Sequence, residues 1–433
     1  MQQNLFLRVL YSIFIAFFIA EKSFAEKETM SVFEYPAVST FSINQHTPLV
    51  VNQALKDVDV GQNLELTLPN GDEIIVTVNE REQKPNGTIV IKAEGENDMG
   101  VLFTMGEKIS FGDINGPEIS YELSFDKEKG QFINDLLTSN AQPDLSDDMR
   151  FPPLPEQSPS TDRFNQQLTA RNNGGVADIT LLVVYNTEFR VGFGDPQARI
   201  QQAVEFTNQA LTNSNIDAQF RLVSAVEIGF SNTLDVNTIL SQATGGQGSF
   251  VNLATLRNSV GADMVSTLSF QSNGSSANGV AWVNGTNPNF AFSSSRLSIG
   301  CCNSVFAHEL GHNLGSGHER DSVLNSTSSC SGGFNGFSCG YGSQQLNFGT
   351  MMSRVGNRIN RYSNPSQTCR GIPCGIPQGQ ENAADNQTSF NISAFLIENF
   401  REDVFLSPPP PPPPPSSSGQ SNIAPIIPLL LSD

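Results

Sequence analysis

Residues 308–319 read HELGHNLGSGHE, and three of the chain's four histidines fall inside this stretch. On an α-helix, residues i and i+4 share a face, so His308 and His312 project side by side from one rigid rod. Two imidazoles held in this way can ligate one zinc ion at about 2.0–2.1 Å per nitrogen. Glu309 reaches the solvent side of such a metal without becoming a ligand. Gly315 can take the left-handed conformation that ends a helix without steric cost, and the chain can then turn back to bring His318 round as a third ligand. The spacing H-E-x-x-H-x-x-G-x-x-H therefore assigns His308, His312 and His318 to the metal and Glu309 to proton transfer.

Three neutral imidazoles leave zinc its double charge and a fourth position for water, which loses a proton near neutral pH. With Glu309 as base, the expected chemistry is hydrolysis of a peptide bond without a covalent intermediate. A structural zinc site closes the fourth position, usually with cysteine. Cys301 and Cys302 stand near enough in sequence to suggest one, but Glu309 favours the catalytic form. It also stands against the rival reading, a non-catalytic module that grips protein partners through an inert cleft. Acidic, Asn-rich loops offer oxygens for Ca2+, but no D-x-D-x-D-G loop supports a calcium site.

Upstream of His308, strand and helix patterns alternate. DITLLVVYN (residues 178–186) is a continuous apolar run, as in a strand buried on both faces. Asp195 caps a helix opened by Pro196, with Ile200, Val204 and Leu211 on its apolar stripe and Ala203 and Ala210 beside it. IDAQFRLV (216–223) alternates like a strand. Helices are expected near 236–243 and 251–260, then a strand at ADMVSTLSF (262–270). GVAWV (279–283) is a short strand, expected at a sheet edge. This order predicts an α/β layer over residues 174–402, closed by a helix in AADNQTSFNISAFLIENFRE (383–402).

Residues 26–150 follow a different grammar. Alternating runs such as NLELTLPNGDEIIVTVNE (63–80) are broken by turn residues, here Pro69-Asn70-Gly71, which predicts a small all-β domain. FPPLPEQSPSTDRF opens a linker spanning 151–173, and SPPPPPPPP (407–415) makes a stiff spacer within a spacer and short tail over 403–433. At the start of the chain, one positive charge (Arg8), the apolar run VLYSIFIAFFIA and the small-x-small SFA at 23–25 predict a signal peptide over 1–25 and secretion. That run is shorter than the ~20 residues of a membrane span, and no stable membrane anchor is expected.

The net charge of −19 argues against nucleic acid as a partner, since phosphate binding needs basic patches. All six cysteines, Cys301, Cys302, Cys330, Cys339, Cys369 and Cys374, lie in one stretch. An even number in an exported chain predicts disulfides. The pairing stays open, with the adjacent Cys301 and Cys302 each expected to pair elsewhere.

The histidine motif resembles that of the metzincin zinc endopeptidases, whose second signature is a methionine turn beneath the metal. FGTMMSR (348–354) fits it, with Met352 as the turn methionine and Met351 as second choice. LLVVYN, NQALTNSNI, LRNSVGADMV, RYSNP and ADNQT resemble the secreted bacterial reprolysin-like branch. The resemblance implies a twisted mixed sheet over helices with a zinc cleft, an α/β (α+β) domain. It also makes the β domain a propeptide, and Gly279, Val280, Ala281 and Trp282 an edge strand that pairs with extended substrate.

Two departures concern the subfamily. Reprolysins carry Asp after the third histidine, where this chain has Glu319, as astacins do. Astacins carry tyrosine two residues past the turn methionine, where this chain has Arg354. The β domain lacks the cysteine by which many metzincins silence themselves, which leaves LSDDMR (145–150) as a candidate blocking segment. Protein or peptide substrates are the expected partners, and the chain is expected to be a monomer. Some bacterial relatives are described as cutting beside aspartate. Arg354 and Arg358 follow the methionine turn, where they could pair with an acidic side chain.

Overall fold

The computed structural model describes residues 29–36, 46–138, 149–153, 175–271, 278–283, 287–300, 303–320, 330 and 333–404. The expected signal peptide, Cys301, Cys302, most of the linker and nearly all of the tail lie outside them. Among the described residues, no helix is long and apolar enough to cross a membrane.

In the β domain, the turn at Pro69-Asn70-Gly71 joins β5 (Asn63–Thr67) to β6 (Glu73–Gln83). Gly71 sits at φ +88°, a conformation that side chains disfavour. The meander continues through β7 (Ile89–Gly95), β8 (Gly100–Met105), β9 (Ser110–Asn115), β10 (Ser120–Asp126) and β11 (Gly130–Asp135). Each strand is antiparallel to the one before. β1 (Met30–Ser31) lies parallel beside β5, β3 (Thr47–Pro48) lies beyond β11, and β2 (Phe33–Glu34) pairs antiparallel with β4 (Val50–Val51). Alternation sends Leu64, Leu66, Val76, Val78 and Ile91 to one filled interior. The opposite face sends Val90, Leu102, Phe111 and Phe132 into the core of the second domain, so the two domains are packed together.

The second domain holds a six-stranded sheet in the order β12 (Met149–Arg150), β16 (Asn278–Trp282), β17 (Phe292–Ser298), β15 (Met264–Gln271), β13 (Ala177–Tyr185) and β14 (Ala218–Glu227). β13 (Ala177–Tyr185) runs parallel between β14 (Ala218–Glu227) and β15 (Met264–Gln271). Its residues alternate between two cores: Ile179, Leu181 and Val183 on one side, Leu182 and Val184 on the other. Burial on both faces accounts for the unbroken apolar run. α1 (Thr187–Phe193) and α2 (Pro196–Asn213) follow β13 on one face. The Asp195 carboxylate accepts from the Ala198 N–H at 3.0 Å, capping α2 as its sequence predicts. α3 (Val236–Gly245) and α4 (Leu253–Ser259) cover the other face.

β17 (Phe292–Ser298) has no counterpart among the predicted strands. It pairs parallel with β15 and antiparallel with β16 (Asn278–Trp282). Ser293, Ser294, Ser295 and Ser298 are buried in it, so its sequence lacks the apolar pattern that marks a strand.

β16 is not at the edge. Its outer side is taken by β12 (Met149–Arg150), which runs parallel to it, with Met149 opposite Ala281 and Arg150 opposite Trp282. The Val283 N–H donates to the Arg150 carbonyl at 2.7 Å. The Arg150 guanidinium hydrogen-bonds Asn237 of α3. The end of the segment assigned to the β domain thus lies on the sheet of the second domain.

Candidate metal centre

α5 (Asn303–Asn313) carries His308, Glu309 and His312, all fully buried. It ends at Gly315, whose φ of +96° lets the chain reverse. The Gly315 N–H donates to the His312 carbonyl at 2.8 Å, and the Ser316 N–H to the Gly311 carbonyl at 3.0 Å. A side chain at position 315 would meet Phe334 Cβ at 2.5 Å. This tight reversal returns His318 to the face of the helix that carries the other two histidines.

One ring nitrogen from each of His308, His312 and His318 lies within 4.8 Å of the others. His308 Nδ1 is 2.7 Å from the Met351 carbonyl oxygen, and His312 Nδ1 is 2.7 Å from the Ser316 carbonyl oxygen. A carbonyl only accepts, so each Nδ1 carries the proton and each Nε2 turns a lone pair toward the common point. The Nε2 atoms of His308 and His318 are 3.2 Å apart. Two nitrogens bound tetrahedrally to one zinc at the usual bond length stand about 3.3 Å apart. The donor set, its tautomers and its spacing fit zinc.

The floor uses both methionines. Met351 supplies the carbonyl that orients His308. Met352 lies under α5, its Sδ only 2.3 Å from where a Cβ on Gly311 would stand. Tyr362, fully buried, donates its hydroxyl to the Ala307 carbonyl at 2.8 Å and so ties the chain after the methionines to the helix. Burial pushes its phenol well above the ordinary range. Asn313 sets the height of the helix against the sheet. Its Nδ2 donates to the Trp282 and Phe292 carbonyls, both at 2.9 Å. Neither role was legible in the sequence: Tyr362 stands among loop residues, and Asn313 fills an unconstrained position of the histidine motif.

β16 passes over Glu309. A Cβ on Gly279 would lie 2.4 Å from Glu309 Oε1. Val280 and Ala281 are buried in the sheet. The Trp282 indole donates to Thr244 Oγ1 at 2.9 Å.

Arg354 and Arg358 differ in setting. The Glu319 carboxylate accepts from the Arg354 N–H at 2.8 Å and stands 3.6 Å from its Nε. Arg358 donates to the Ser304 carbonyl in the first turn of α5 at 3.2 Å and to the Ser353 carbonyl at 3.4 Å. The four described cysteines pair as Cys330–Cys339 and Cys369–Cys374. Cys301 and Cys302, each expected to pair elsewhere, lie outside the described residues.

Residues 176–363 match the family model described as metallo-peptidase family M12, and residues 28–136 match one described as a BamI lipocalin-like domain. The chain is 27% identical over 253 residues to a peptidyl-Asp metalloendopeptidase of Stenotrophomonas maltophilia, covering 55% of this chain and 57% of that protein. It is 29% identical over 237 residues to a protein of the same name from Xanthomonas campestris, covering 52% and 53%. The chain thus spans little more than half the length of these relatives. Metalloproteinase-II from Bacteroides fragilis, a solved structure, matches at 11% identity and a TM-score of 0.40 over 72% of this chain and 90% of that one, a likeness too loose to define the fold.

Proposed function

We propose that residues 176–363, which match the model of metallo-peptidase family M12, form a metzincin-like zinc metallopeptidase domain, and that the chain is a secreted zinc endopeptidase, made as a zymogen, that cuts beside acidic residues. The observation that carries this reading is the convergence of three ring nitrogens within 4.8 Å, with Glu309, the residue after His308, packed against β16 at Gly279.

Zinc bound at these nitrogens would supply a Lewis acid that polarises the scissile carbonyl and acidifies the attacking water. The Met351 and Ser316 carbonyls hold His308 and His312 in the ligating tautomer. Glu309 takes the proton of the attacking water on a carboxylate oxygen and passes it to the leaving amine. β16 offers main-chain hydrogen bonds to an extended peptide laid beside it, a mode with little sequence preference of its own.

Preference would come from the primed side. Arg358 lies between the first turn of α5 and Ser353, and Arg354 is held by Glu319. A guanidinium in this wall suits a carboxylate side chain, in keeping with the names of the two relatives. The zymogen reading rests on β12. While Met149 and Arg150 pair with Ala281 and Trp282, that side of β16 is closed to substrate, so the segment must leave before a peptide can add there.

The test is an assay of the purified full chain on casein, with and without a zinc chelator, followed by mass spectrometry of products and enzyme. Chelator-sensitive cleavage, products that begin or end at acidic residues, and loss of the β domain on activation are expected. Cleavage that survives complete metal removal would refute the reading.

A further inference from the structure

The seam between the β domain and the metallopeptidase domain closes over three charged side chains. Asp113 on β9, Glu122 on β10 and Arg199 on α2 are each no more than 2% exposed. Asp113 Oδ2 accepts from Gln202 Nε2 at 2.6 Å and from Asn303 Nδ2 at 2.8 Å. Asn303 is the first residue of α5, the helix that carries the metal ligands. Arg199 bonds the Asn303 side chain, and its guanidinium lies 5.1 Å from the centre of the Phe193 ring and 5.8 Å from that of Phe111. Its Nη2 stands 3.6 Å from Glu122 Oε1, beyond hydrogen-bond reach. The β domain also grips the approach to α5: Asn134 Nδ2 donates to the Gly300 carbonyl at 2.7 Å.

Two carboxylates face one guanidinium in this buried seam. Ionising both would leave an uncompensated negative charge there, which is costly. One carboxyl therefore keeps a proton while the domains are docked. Asp113 has two short side-chain donors that favour its charged form. Glu122 has the long contact to Arg199 and the backbone of Asn303, a weaker set, so Glu122 holds the proton.

We propose that the β domain, once the chain is cut between residues 154 and 174, remains a reversible partner of the metallopeptidase domain, held by the protonated Asp113–Glu122–Arg199 seam in acid and released in alkali. The cut itself rests on the zymogen reading above. Burial pushes Glu122 up to about 8 and Asp113 to about 6. When the domains part, both carboxyls return to water and to their ordinary values. Docking thus takes up a proton at any pH between the free and docked values, and affinity falls as pH rises through that window.

The other charged groups along the seam do not reverse this sign above pH 6.5. Glu205 on α2 is 2.8 Å from Lys84 and 3.6 Å from Lys92, which also meet Glu82 and Glu80. These are opposite charges already paired. At the other end, His46 packs on Phe132 beside Lys129. Burial pushes it below its ordinary 6.5. Its neutral form is then favoured in the docked state, an opposing effect confined to pH below 6.5.

The experiment uses the full chain with Glu309→Gln to prevent self-digestion and a foreign-protease site placed between residues 154 and 174. After cutting, the dissociation constant of the two fragments is measured at pH 6.5, 7.5 and 8.5. The expected result is a more than tenfold weakening across that range, reduced to less than twofold by Glu122→Gln, whose fragments stay together at pH 8.5. Calorimetry in two buffers of different ionisation enthalpy should show close to one proton taken up on docking at pH 7. A pH-independent constant, no proton uptake, or equal weakening in Glu122→Gln would overturn the proposal. If Glu122→Gln fails to fold, proton uptake by the unsubstituted seam decides alone. These readings do not depend on peptide cleavage, so an inactive enzyme would leave them intact.

Discussion

Gly279 and Glu309 are in contact: the space that a methyl group on Gly279 would fill is already occupied by the Glu309 carboxylate, 2.4 Å away at Oε1 and 2.6 Å at Cγ. β16 and the proposed base thus share one surface, and glycine is what lets them meet.

Gly279→Ala must therefore displace either the carboxylate or β16. Misplacing a catalytic group by about 1 Å costs about a hundredfold in rate, and a loss of that order in kcat/KM is expected, with zinc still bound at one equivalent. Peptide turnover beside elemental analysis checks it. Full activity would show that Glu309 need not sit where it does.

The histidines and the glutamate should separate cleanly. His312→Ala removes a ligand and should lose metal and activity together. Glu309→Gln should keep the metal and the fold while losing about a hundredfold to ten-thousandfold in rate, the usual contribution of a positioned acid–base group. An active Glu309→Gln enzyme would remove Glu309 from the mechanism.

Gly315→Ala tests the reversal that brings His318 back. It combines a φ of +96° with a contact at 2.5 Å to Phe334 Cβ. Left-handed backbone alone costs about 1–2 kcal/mol for a residue with a Cβ, and the contact adds to it. Loss of at least that much in denaturant unfolding, with weaker zinc retention, is expected. A change within about 0.5 kcal/mol, as for a neutral surface substitution, would mean the turn relaxes freely.

Arg150→Ala should loosen the blocking strand, since the Arg150 side chain is what ties β12 to Asn237. The uncut chain should then cleave a short fluorogenic peptide severalfold faster than the unsubstituted uncut chain. Equal rates would show that β12 does not control access.

Arg358→Glu should abolish the preference for acidic side chains without abolishing cleavage, and Arg354→Ala should weaken it less, because Arg354 is already engaged by Glu319. Sequencing the products of a mixed peptide library reads both. An unchanged cleavage pattern in Arg358→Glu would place the preference elsewhere.

The sequence by itself determined what short-range geometry can encode. The spacing of His308, Glu309 and His312 makes sense only on a helix. Gly315 allows the turn toward His318, Asp195-Pro196 starts α2, and the apolar run through β13 requires cover on both faces. Tertiary structure decided which distant surfaces meet. β17 escaped notice because its buried serines carry no apolar period. Met149–Arg150 reaches β16 from some 130 residues away in the chain. The four described cysteines pair by proximity that no spacing reveals. Arg199, Gln202 and Glu205 lie off the apolar stripe of α2, yet they are buried against the β domain. Periodicity records whether a face is apolar, while the partner that covers it is chosen by shape and charge across the whole fold.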